Sequence, residues 1–198
     1  MARPREFRIA DVVERAETVF RARGYEAASL PELLDAMQIT RGSLYKAFES
    51  KKDVFLQVLA RYESMQIDPA VQRLITPQVP DGRRRISGVF KSLMHDVAAG
   101  DRRGCLLCTT LSGAAMSDPE IAAVVQTGLR RIRDGMEHAL AASPLHAGLP
   151  VSKRLVLANT LLTQYVGLNA LARSCLPLGI VEQSAQAVDA LLLSQKQL

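Results

Sequence analysis

The sequence predicts an all-α protein of about nine helices, with a small N-terminal head and a larger C-terminal body. Two observations carry this. Apolar residues recur at three- and four-residue spacing from end to end, and no alternating stretch is long enough for a strand. The composition agrees: aromatics are only 5%, Trp is absent, and Ala, Leu and Arg are abundant. Such side chains lose little rotamer freedom in a helix.

Ile9, Val12, Val13, Ala16 and Phe20 form the apolar stripe of a first helix, which Gly24 is placed to end. Ser29 precedes Glu32 by three residues, a capping-box spacing, and opens a short helix over 30–37 with Leu33, Leu34 and Met37 inward. Gln38 and Ile39 form a tight connection. Thr40 caps the next short helix, which turns Leu44, Ala47 and Phe48 to the core. Two short helices joined by about three residues have the spacing of a helix-turn-helix. Ser50 caps a fourth helix with Val54, Phe55, Val58 and Leu59 as its stripe, running toward Pro69. Residues 77–85 are polar, with two prolines and a glycine, and read as a loop. Helical patterns follow at roughly 86–99 and 105–116. Asp118 caps a helix with Pro119 in its first turn, ending near Ala142. A second loop covers 143–150. Ser152 opens a long helix to about Cys175, and a last one spans roughly 180–195.

Charge and cysteine usage bound the function. The chain has 198 residues, 48% of them hydrophobic, and a net charge of +5, which permits an anionic partner without naming one. The first 56 residues hold ten basic against nine acidic side chains, so DNA binding there rests on a few placed cations. Three cysteines, Cys105, Cys108 and Cys175, do not suit a secreted disulfide framework. The N-terminus lacks a signal-peptide pattern, and no unbroken apolar run approaches the ~18 residues of a membrane span. A soluble, cytoplasmic protein is expected.

Residues 9–59 carry a linked set: Ala16, Phe20, Gly24-Tyr25, Ser29, Leu33, Ala36, then Ile39-Thr40-Arg41-Gly42-Ser43-Leu44-Tyr45-Lys46-Ala47-Phe48 and Ser50-Lys51-Lys52. In order and spacing this resembles the TetR family of bacterial transcriptional repressors. The resemblance implies a DNA-binding domain over 6–66 with its motif at 29–48, and a ligand-binding and dimerisation domain over 77–198. It implies that the second short helix enters the major groove N-terminus first. Arg41 then suits a guanine edge, and Thr40 and Ser43 suit phosphate or base. Gly42 allows close approach, Tyr45 offers its hydroxyl to a phosphate, and Ser29, Lys46 and Lys51 complete the expected contact set. Arg3 and Arg5 would add non-specific contacts. Three positions depart from the family pattern. Ala28 stands where Thr is common, Lys46 where His is frequent, and Gln38 where the turn usually has glycine. A left-handed Gln38 costs about 1 kcal/mol.

The resemblance also implies that the last two helices pair with those of a second copy, so that a homodimer reads a palindromic site. Independently, Leu155, Val156, Leu157, Leu161, Leu162, Tyr165, Val166 and Leu168 cover most of one helix's circumference, and Ile180, Val188 and Leu191 to Leu193 add to the last. That fits either a partner-covered face or a central helix buried within a monomer. The body is expected to take a small-molecule or thiol-reactive inducer. Asn159, Gln164 and Asn169 face either a ligand or the dimer partner. Cys105 and Cys108 follow Arg102-Arg103 at a helix start, where the dipole and the cations should lower a thiol pKa. The candidate sensor set is therefore Cys105, Cys108, Tyr165 and Asn169, although small buried thiols are also common in helical cores. His95, His138 and His146 lack a compact ligand spacing, so neither metal nor cofactor is expected. The competing functions are a thiol-dependent oxidoreductase, which would want a βαβ setting around Cys105 and Cys108, and a helical protein-interaction module.

Overall fold

A computed structural model describes residues 8–174 and 176–193; Arg3, Arg5 and Cys175 lie outside the described residues. All regular structure among them is helical. Helix α1 (Ile9–Ala27) breaks at Gly24, whose φ of 80° suits only a residue without a Cβ. Past the break Tyr25 folds back, and Phe20, Tyr25 and Phe55 form an aromatic cluster with Phe55 4.8 Å from each partner ring. Helix α2 (Leu30–Met37) opens with a complete capping box. The Ser29 hydroxyl accepts from Glu32 N–H, and the Glu32 carboxylate accepts from Ser29 N–H. Helix α3 (Arg41–Ala47) is capped by Thr40, and α4 (Lys51–Tyr62) by Ser50.

Helix α4 does not stop before Pro69. A π turn over Glu63–Ile67 carries it into α5 (Asp68–Ile75), and Pro69 sits in the first turn of α5. Asp68 N–H reaches back five residues to the Glu63 carbonyl. That widened turn gives a proline ring space beside the preceding carbonyls, where an α-helical ladder would clash. Counting 51–75 as one rod, the described residues form nine helices, as expected for this all-α fold.

The body follows with α6 (Gly82–Ala98), α7 (Leu106–Leu111), a short 3-10 turn at Ala114–Ser117, α8 (Pro119–Ala141), α9 (Val151–Arg173) and α10 (Leu178–Leu193). Three boundaries differ from expectation. Helix α6 begins inside the expected loop because the Asp81 carboxylate caps Arg83 N–H. Gly82 makes this possible by lying against α8, where an added Cβ would fall 1.6 Å from the Ala139 carbonyl oxygen. The helix expected over 105–116 ends at Leu111. Helix α9 starts at Val151 after Pro150, with no side-chain cap from Ser152.

Helix α8 packs on α5, α6, α7 and α9, and α7 wedges between α1 and α9. One hydrophobic core runs from Val12 to Leu192, with Leu33, Leu44, Phe55, Leu107 and Met136 among its sealed members. Helix α9 is long and apolar enough to cross a membrane by length and composition, with mean hydropathy 1.3. It packs here against α7, α8 and α10. Its Leu157, Leu161 and Leu168 are sealed, while Val151 and Val156 stand 57% and 52% exposed.

Candidate nucleic-acid interface and effector cavity

The outer face of α3 is assembled by the burial of its inner face. Leu44 is sealed and Phe48 nearly so, which turns Arg41, Gly42, Tyr45 and Lys46 to the surface. The Thr40 hydroxyl accepts from Ser43 N–H at 3.1 Å and donates to the Ser43 hydroxyl at 3.0 Å, fixing the first turn. The Arg41 guanidinium lies 5.9 Å from the centre of the Tyr45 ring, so the two side chains form one unit. At Gly42 an added Cβ would come no nearer than 3.9 Å to any atom outside its helix, so nothing inside the chain requires glycine there.

The remaining expected contacts are less free. Ser29 is engaged in the α2 cap. Lys51 leans inward, its ammonium 4.7 Å above the Tyr25 ring and donating to the Glu26 carbonyl at 3.4 Å. Partial burial lowers its pKa, against the pull of the Glu26 carboxylate. Gln38 does take the left-handed conformation, with φ 54°. The Arg15 guanidinium donates to its side-chain oxygen at 3.1 Å and to the Met37 carbonyl at 3.4 Å.

Behind the head, a cavity of about 120 Å³ lies among α1, the α4–α5 rod, α6 and α9. Arg21, Tyr62, Cys105, Tyr165 and Asn169 stand on its wall. Three of the four expected sensor residues therefore meet here, and Cys108, in the first turn of α7, stands close enough to Cys105 to shift its pKa. Cys105 is the residue before α7. Its N–H donates to the Asn169 side-chain oxygen at 2.7 Å, while the Asn169 amide donates to the Tyr165 carbonyl at 2.8 Å. Both ends of Asn169 are thus used within the chain, as a brace. Gly104 has φ 67°, and a Cβ there would sit 3.0 Å from the Asn169 backbone oxygen, so glycine is needed for this approach.

The thiol's setting differs from the expected one. Arg103 pairs with Asp101, and Arg102 donates to the Leu176 carbonyl at 3.0 Å, so neither serves the thiol. Hydrogen bonding from Cys108, then from Tyr62 and Tyr165, lowers the Cys105 pKa to about 6 against the cost of burial. The same contact and burial push the Cys108 thiol up, and burial raises both tyrosines.

Sequence reasoning missed Tyr62, Arg21 and Arg173. Arg21, near the end of α1, donates to Asp101 at 3.3 Å and to the Gly104 carbonyl at 3.4 Å, and its guanidinium lies 5.8 Å from the Tyr62 ring centre. Arg173, ending α9, donates to the carbonyls of Arg21 and Arg103, each at 2.7 Å. A second tie joins Lys52 on α4 to Asp118 at 2.8 Å and to Glu120, raising the Lys52 pKa to about 12. A third runs from Ala115 N–H to the Glu26 carboxylate at 2.6 Å. His146 is buried against the Ser143 hydroxyl at 3.0 Å, and among the described residues no three His, Cys, Asp or Glu side chains gather as a metal site.

Comparison with known proteins agrees with this geometry. The family model described as bacterial regulatory proteins, tetR family, matches residues 12–58. An uncharacterised helix-turn-helix transcriptional regulator of Bacillus subtilis, YezE, is 29% identical over 141 residues, which cover 71% of this chain and 72% of that protein. The Escherichia coli transcriptional repressor BdcR is 29% identical over 118 residues, 60% of this chain and 58% of that protein. Among solved structures, a cysteine mutant of the TetR family regulator CifR, in complex with 26-base-pair operator DNA, is 30% identical with a TM-score of 0.75. That match covers 93% of this chain and 99% of CifR.

Proposed function

The chain belongs to the TetR family of bacterial regulatory proteins and is a DNA-binding transcriptional regulator; from that premise we propose that it is a repressor that grips a palindromic operator as a homodimer and releases it when an effector acts at Cys105. The division of labour belongs to the same proposal, with reading of DNA in residues 6–66 and response and pairing in 77–198. The protein works in the cytoplasm, where its operator is.

One observation supports the reading most. On α3, a capped helix with a sealed inner face, Arg41, Tyr45 and Lys46 are exposed and stabilise nothing in the core. Arg41 offers paired donors to a guanine edge, and Tyr45 carries it on its ring. Support for the dimer is the unsatisfied face of α9, where Val151, Leu155 and Val156 are exposed, continued by Ile180 and Leu193 on α10. An effector in the cavity would touch α1 through Arg21 and α4 through Tyr62, and so bear on the angle of both heads.

Selection of bound duplexes from sheared genomic DNA, followed by titration at rising salt, tests this. The affinity should fall linearly with salt on logarithmic axes. Arg41→Ala should cost about 1–3 kcal/mol at a single operator position while leaving others alone. Recovery of no duplex, or binding indifferent to salt, overturns the proposal. The thiol-oxidoreductase alternative finds no strand beside α7 among the described residues to build a βαβ unit.

A further inference from the structure

We propose that Cys105 and Cys108 are a two-electron redox pair, in which a small hydroperoxide entering the cavity oxidises Cys105 and Cys108 closes an intramolecular disulfide that weakens DNA binding. The regulatory half of this proposal rests on the DNA-binding reading above; the bond itself does not.

Three features of placement support it. Cys105 stands immediately before α7 and Cys108 in its first turn, so a single turn separates the two thiols and each shifts the other's pKa. Residues three apart on a helix have Cβ atoms about 5–6 Å apart, so a disulfide, which needs about 3.5–4.5 Å, closes only by drawing the start of α7 inward by about 1–2 Å. Each cysteine also lines a cavity, although both are buried. Cys105 faces the 120 Å³ cavity, and Cys108 borders a separate one of about 300 Å³ between α7 and α9. Finally, the first cavity opens to solvent and has room for several waters, so hydrogen peroxide or a short alkyl hydroperoxide can enter it.

The asymmetry of the pair assigns the roles. Cys105 receives hydrogen bonds from Cys108, Tyr62 and Tyr165, an arrangement that favours its thiolate, while Cys108 keeps its proton. In the first step the Cys105 sulfur attacks the outer peroxide oxygen. The O–O bond breaks, an S–O bond forms, and the leaving alkoxide or hydroxide takes up the proton that Cys105 gave up. The products are Cys105 sulfenic acid and an alcohol, or water from hydrogen peroxide. In the second step the Cys108 sulfur attacks Cys105, the S–S bond forms, and hydroxide departs with the Cys108 proton as water. Two thiols are oxidised and one peroxide is reduced.

The bond changes what the thiol holds. A Cys105 sulfur bonded to Cys108 no longer accepts as an anion from Tyr62 on α4 and Tyr165 on α9. Gly104, next in the chain, carries the carbonyl that Arg21 of α1 grips. The start of α7 is thereby loosened from both head helices that reach the cavity.

Peptide mapping reads the bond directly, because cleavage after Arg103 and Arg130 leaves both cysteines in one fragment. After the full-length protein meets a few equivalents of hydrogen peroxide, that fragment should be lighter by two hydrogens and recover on reduction. In parallel the DNA dissociation constant should rise on the order of 5- to 150-fold, reversibly, the usual range of coupling between sites. Cys108→Ser should stop at a sulfenic acid that a dimedone probe traps, Cys105→Ser should form no bond and keep its DNA affinity under peroxide, and Cys175→Ser should behave as the parent. A reduced fragment, or a link to Cys175, overturns the bond even if DNA affinity falls. A closed bond with unchanged DNA affinity overturns the switch. A reduced protein that binds no duplex overturns the regulator reading instead, and with it the switch, while the fragment mass still decides the bond.

Discussion

Gln38 holds the left-handed turn between α2 and α3 at φ 54°, a conformation in which its Cβ crowds the following carbonyl. The Arg15 contact to its side chain offsets part of that cost. Gln38→Gly should therefore stabilise the head by about 0.5–1 kcal/mol, read as a higher denaturation midpoint with an unchanged slope. Cys105 supports a second prediction at this scale. Its folded pKa of about 6 lies below that of an ordinary thiol, so the reactive thiolate is present at neutral pH. Alkylation of Cys105 by iodoacetamide should rise with pH through about 6 and then level, whereas an unfolded control should still be rising above 8. A control-like profile for the folded protein would show that Cys108 and the phenols of Tyr62 and Tyr165 do not hold the anion. The cause was only partly legible in sequence. Cys108, the largest influence, is visible three residues away, but Arg102 and Arg103 turn to Leu176 and Asp101, and the two phenols come from positions some 40–60 residues away.

At the scale of elements, helix starts were the most readable feature. Ser29, Thr40, Ser50 and Asp118 all cap as their spacing requires, since a cap is settled within four residues. The π turn at Glu63–Ile67 was not readable, because Pro69 alone signals a stop rather than a widened continuation. That turn also carries Glu63, whose Oε1 is buried without a partner against Gly128 and Leu107. Burial raises its pKa, so the folded state disfavours the charged form. The penalty is present at neutral pH, above the folded pKa, and vanishes as pH falls below the unfolded value. Glu63→Gln should accordingly melt at a higher temperature than the parent at pH 7, with the gap closing on acidification toward pH 4. A gap that persisted in acid would point to packing rather than charge.

For the whole molecule the decisive surface is the outer side of α9. Val156→Glu places a charge on a face that we propose to be covered by a second copy, and leaves the core residues Leu157 and Leu161 untouched. Sedimentation should show monomers, and affinity for a full palindrome should fall to that for a half-site; a dimer that survives the change moves the interface elsewhere. The sequence by itself determined the all-α architecture, the head motif and its caps, and the surplus of apolar surface on the last two long helices. Those properties follow from local spacing, where a side chain's face is set by its helical phase. Only the tertiary structure showed that Asn169, while standing on the cavity wall, braces the start of α7. It alone brought Tyr62, Tyr165 and Arg21 to Cys105, and tied α1 to α9 through Arg173. These contacts join α1, α4, α7 and α9, and packing between distant helices depends on crossing geometry that no local window of sequence contains.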